Sequence, residues 1–73
     1  MADMLKSKIG EEIRRLRRDA GLTQEDLASE AELHTNHISL VERGRTNVTV
    51  EAASKIVKVF GLTLTAFFAR IEE

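Results

Sequence analysis

The stretch Thr23–Arg43, TQEDLASEAELHTNHISLVER, decides how the rest of the chain is read. It predicts two short helices, over about residues 24–31 and 35–43, joined by a tight connection. Thr23 can cap the first, Asp26 can reach back as the third residue of a capping-box variant, and Glu25 and Asp26 suit the positive helix end. Leu27, Ala28 and Ala31 form its inner face, with Ala28 small where a crossing helix must come close. Glu32-Leu33-His34 makes the corner, plugged by one apolar residue. In the second helix Ile38 and Val41 face inward and Gly44 stops the helix. At ~100° per residue, Asn36, Leu40 and Arg43 then cluster roughly opposite the core, with Ser39 beside them.

Working outward, a helical period begins at Ser7, which can cap it, and Ile9, Ile13, Leu16 and Ala20 share one face. Residues 1–6 read as a loosely held lead-in. This helix covers about residues 7–20 and is stopped by Gly21. Arg14, Arg15 and Arg18 point away from the stripe; Arg14 and Arg18 could approach phosphates, but Glu11, Glu12 and Asp19 dilute their charge and a solvated face is the preferred reading. Arg17 lies at the stripe edge, where a buried or half-buried ion pair is expected. After a loop over residues 45–48, Thr49 caps a fourth helix, about 50–60, with Val50, Ala53, Ile56, Val57 and Phe60 on one side. Gly61 ends it. Thr63 caps the fifth, about 64–72, with Leu62 and Phe67 at the spacing of a hydrophobic staple. The expected fold is all-α, a compact domain of five short helices spanning residues 1–73.

A 73-residue chain makes one domain whose small core leaves little margin over the entropy of ordering. It has no cysteine to form a disulfide or ligate a metal, and no proline. No stretch approaches the ~18 apolar residues of a membrane span, nothing resembles a signal peptide, and a cytoplasmic protein is expected. Phe67, Phe68 and Ile71 exceed what so small a core can cover. One of the two phenylalanines should join the core, and the surplus predicts a symmetric dimer through the last two helices.

The net charge of −1 argues against a generic polyanion binder, but the placement of charge matters more than its sum. Two helices with a tight turn, the second presenting polar groups outward, match what major-groove reading requires. That groove admits one helix and shows a distinct donor and acceptor pattern for each base pair. Asn36 could bond an adenine edge bidentately and Leu40 could meet a thymine methyl. His34 and His37 superficially suggest a metal pair. No cysteine or well-placed carboxylate completes a tetrahedral set, so no metal is expected. His34 is read instead as the cap of the reading helix and His37 as its flank.

The segments IGEEIRRLRRDAGLTQEDLA, HISLVERGRTN and FGLTLTAFF, with Ala31 and Leu33 flanking the turn, resemble the phage-repressor/Cro-type (XRE-like) helix-turn-helix regulators over nearly the whole chain, Ile9 to Phe68. The resemblance implies a lambda-repressor-like fold and a transcriptional regulator that binds double-stranded DNA. Thr35, Asn36, Ser39 and Leu40 would face base edges. Thr23 and Gln24 would anchor on a phosphate through backbone and side-chain donors, and Arg43, Arg45, Thr46 and Asn47 would grip the backbone. Arg17 and Glu42 match the family's internal ion pair. Two positions depart from the pattern. Glu32 stands where the family has a turn glycine and puts a negative charge near the DNA-facing side, and Val48 replaces a common proline.

These features lead to a homodimer on a roughly palindromic operator, in the bacterial cytoplasm and on the nucleoid. Length and helix layout resemble most the restriction–modification controller proteins. The alternative is an antitoxin or other interaction module whose C-terminal helices grip a partner protein such as a toxin. A contact with RNA polymerase stays open. No cofactor is implied, and no nucleophile–base set or glycine-rich phosphate loop suggests an enzyme.

Overall fold

The structure, a computed structural model describing residues 2–72, consists of α1 (Ala2–Asp19), α2 (Gln24–Ala31), α3 (Thr35–Glu42), α4 (Val50–Val59) and α5 (Leu64–Glu72). No strand occurs among the described residues. α1 and α2 both pack on α3, α4 packs on α2, and α5 closes against α4 and α1.

The first helix corrects the expectation drawn from Ser7. α1 begins at Ala2, so Ser7 lies inside it and caps nothing. Residues 2–6 contain neither glycine nor proline, and Leu5 extends the Ile9–Ile13 series by one more step of four. A helix started at Ser7 therefore propagates backward at little cost. The other boundaries agree within a residue, the ordinary fraying range. Thr49 and Thr63 accept hydrogen bonds from the N–H groups of Ala52 and Ala66, both at 3.0 Å, as N-caps should.

The capping box at the start of α2 is complete. Asp26 N–H donates to Thr23 Oγ1 at 3.0 Å, and Thr23 N–H donates to Asp26 Oδ2 at 2.9 Å. The Thr23 backbone N–H first, and then the Thr23 hydroxyl, hold the Asp26 carboxyl below its ordinary value. A carboxyl depressed by folding contributes stability above its unfolded pKa of about 3.9 and loses it as pH falls through the folded value. Urea midpoints of the wild type and Asp26→Asn should therefore differ most near neutral pH and converge below about pH 4. A gap that is constant with pH would remove the carboxylate from the account.

Glu32, after α2, has φ 59° and ψ 44°, the left-handed conformation glycine adopts most easily. Its N–H still closes the helix by donating to Ser29 O at 3.2 Å. Replacing it by glycine should raise the urea midpoint, a gain of up to about 1 kcal/mol, with no change in slope. Glu32 is exposed and lines depressions shared with Lys55 of α4.

Ile13, Leu27, Ile38, Ile56 and Phe67 are the largest apolar side chains sealed in the core. Gly10 sits inside α1 where it crosses the end of α3. A Cβ there would fall against Val41 O and 2.6 Å from Glu42 O, both backbone atoms that cannot yield. The two helices meet backbone to backbone.

Two apolar assignments are corrected. Phe67 is 0% exposed, so it is a core residue and cannot belong to a dimer surface. Val50, expected on the inner side of α4, is 75% exposed because it is the first residue of the helix and has no neighbour beneath it. With half-exposed Leu5 it borders an open apolar groove of about 330 Å³ that also includes Leu64 and Phe68. Among the described residues no single helix is long and apolar enough to cross a membrane.

Candidate nucleic-acid interface

α3 is held from one side only. Ile38, Val41 and Glu42 are buried, while Thr35, Asn36 and Arg43 are exposed. Ser39 and Leu40 are half-buried at the margin, and Leu40 does not pack against the core cluster. Beyond the helix Arg45 and Asn47 are exposed and Thr46 is half-buried, its hydroxyl donating weakly to Asn47 O at 3.4 Å. The structure thus brings eight of the expected contact residues onto α3 and the segment after it. His34 does stand at the N-cap of α3, but its side chain makes no capping bond. An extended backbone and the bond from Ile38 N–H to His34 O at 3.2 Å start the helix without it.

Arg17 and Glu42 meet as the sequence suggests. Arg17 Nε donates to Glu42 Oε2 at 2.7 Å and Arg17 Nη2 donates to Glu42 Oε1 at 3.0 Å, a bidentate pair. Arg17 Nη1 also donates to Leu22 O at 2.9 Å. The Glu42 hydrogen bonds hold the Arg17 guanidinium above its ordinary value, against the opposing effect of burial. One guanidinium thus ties α1, the turn after it and α3 together.

The start of α2 differs from the simple anchoring expected. Gln24 Nε2 donates to Glu42 Oε1 at 3.1 Å, so its amide is drawn inward and serves the buried carboxylate. Thr23 has its N–H taken by Asp26 and its hydroxyl engaged at the same cap. Sequence reading preferred a solvated face for Arg14 over a phosphate contact. Arg14 lies beside Glu42 at 3.8 Å and shares a cleft with Arg43 and Arg45. Its position on α1 gives no hint of this, because the cleft exists only once α1 is laid across the end of α3.

A tight helix pair with a buried inner face, an outward polar face and arginines beyond its end defines a helix-turn-helix protein. The helix-turn-helix family model matches residues 13–67, and the chain belongs to that family, in its phage-repressor-like form. Among curated relatives, control protein C.MunI of Mycoplasma sp is 31% identical over 70 residues, which cover 94% of this chain and 95% of that protein. The transcriptional regulator DdrOP3 of Deinococcus deserti is 32% identical over 65 residues, covering 89% of this chain. The chain spans half of that longer relative's length. Among solved structures, the restriction-modification controller protein C.Esp1396I, as a tetramer in complex with its natural 35 base-pair operator, superposes with a TM-score of 0.83. The two are 34% identical, over 92% of this chain and 88% of that one.

Proposed function

We propose that the protein is a sequence-specific DNA-binding transcriptional regulator of the restriction–modification controller type, acting on a roughly palindromic operator as a homodimer. The observation that carries this is the one-sided burial of α3, which fixes the helix and leaves Thr35, Asn36, Ser39 and Leu40 to face bases. Thr23, Arg43, Arg45, Thr46 and Asn47 grip the sugar–phosphate backbone, and Gln24 contributes mainly by holding Glu42. The apolar groove bordered by Leu5, Val50, Leu64 and Phe68 receives the second copy, with Phe67 beneath it in the core. Ile71, one turn beyond Phe68 and also partly buried, extends that surface toward Lys8 and Arg15 of α1. Two copies then place their α3 helices in successive major grooves, with half-sites about one helical turn apart or a multiple of it. The controller relatives support this reading over an antitoxin. The protein works without chemistry of its own, in the cytoplasm and on the nucleoid.

Selection from random duplexes at moderate salt should enrich a palindromic site, and failure to enrich one would sink the proposal. On the selected duplex, Asn36→Ala should lose about 1–3 kcal/mol, mostly through one base position in each half-site. Arg45→Ala should weaken all sequences alike and reduce the salt slope. Identical behaviour of the two variants would show that reading and gripping are not divided in this way. A monomer that forms a stable complex only with a neighbouring gene product would favour the antitoxin reading.

A further inference from the structure

At the junction of α1 with the end of α3 an open cleft of about 330 Å³ is lined by Ser7, Glu11 and Arg14 from α1 and by Glu42, Arg43 and Arg45. Arg14 stands beside a buried carboxylate. Its Nε is 3.8 Å from Glu42 Oε1, too far for a hydrogen bond. Both oxygens of Glu42 already accept, Oε2 from Arg17 and Oε1 from Arg17 and Gln24. Glu42 therefore biases the Arg14 side chain toward the cleft without occupying its donors. That side chain is 49% exposed. The cleft holds three guanidinium groups against Glu11 and a Glu42 charge already neutralised by Arg17. Arg43 belongs both to this cleft and to the outward face of α3, so the two surfaces are continuous.

We propose that Arg14 binds a DNA phosphate in this cleft together with Arg43 and Arg45, so that α1 grips the backbone as well as the segment following α3. The inference rests on the DNA-binding reading above and adds a contact from a third element. A guanidinium held beside a saturated carboxylate is pre-oriented, and its fork suits a phosphate oxygen pair.

The test uses the full chain and the duplex that the wild type selects, with binding measured across a fourfold range of salt. Arg14→Gln should bind more weakly, equally so on the selected duplex and on a scrambled one. Each dimer carries two copies of Arg14, so its salt slope should be shallower by about 1.8 and its deficit relative to the wild type should narrow about twelvefold across that range. Arg14→Lys should keep the wild-type slope, because it keeps the charge. Thermal unfolding of both variants identifies a structural effect. An Arg14→Gln slope equal to the wild type overturns the proposal, and so does a lowered midpoint with unchanged slope, which would make Arg14 a support for Glu42. A wild type that selects no duplex overturns the DNA-binding reading itself, a result separate from any behaviour of Arg14.

Discussion

Glu42→Ala is expected to be among the most damaging single changes in the chain, lowering the unfolding free energy by about 3–5 kcal/mol. The Glu42 side chain is 0% exposed and serves three donors, so its removal strands the guanidinium of Arg17, whose side chain is 11% exposed, and frees the Gln24 amide. The cost comes from the charge left behind rather than from the worth of the pair, because ion pairing repays little more than the desolvation it requires. Against a total stability of about 5–15 kcal/mol, such a loss removes most of the margin of a domain at the low end of that range. The double variant Arg17→Met with Glu42→Leu should recover most of the loss, since it leaves no unpaired charge. Urea unfolding of the four proteins in the cycle measures this. A Glu42→Ala loss under about 1 kcal/mol would mean that water reaches the pair and that it behaves like a surface contact.

Phe67→Ala should cost a similar amount, about 3–5 kcal/mol, by opening a cavity at the centre of the core. Its neighbour gives the contrast. Phe68 meets Phe67 edge to face, with ring centroids 5.3 Å apart at 83°, but is only half-buried and borders the apolar groove. Phe68→Ala should lose about 0.5–1.5 kcal/mol of ring contact and act chiefly on self-association. Unfolding at two protein concentrations, with sedimentation equilibrium, separates the two. The Phe67 variant should be destabilised equally at both, whereas the Phe68 variant should lose the concentration dependence expected of a dimer. Equal losses and unchanged association in both variants would remove Phe68 from the interface.

What could be read from the chain before folding was whatever depends on neighbours in sequence. Thr23 with Asp26, Thr49 and Thr63 as caps, and the burial of Ile38 and Val41 all follow from periods and spacings within a few residues. Glu32 could be suspected of left-handed geometry only because a related pattern has glycine there. Phe67 and Phe68 could not be separated by spacing, since adjacent residues at a stripe edge differ in burial only through the helix that crosses them. Gly10 and the cleft position of Arg14 were out of reach for the same reason. Each owes its meaning to the end of α3, some thirty residues away, and nothing local marks a glycine as a crossing point or an arginine as the wall of a cleft. Arg17 is a partial exception: an arginine at the edge of an apolar stripe has to find a counter-charge somewhere, but only the family resemblance pointed to Glu42.

The one-sided burial of α3 also bears on how proteins of this kind change their targets. The residues that hold the helix in place, Ile38, Val41 and Glu42, are different from those it shows to the outside. Positions 35, 36 and 39 can therefore be exchanged without passing through an unfolded intermediate, and a chain with little stability to spare can still explore new operator sequences one substitution at a time. Duplicated copies of such a gene could diverge in the sites they recognise while retaining the same scaffold.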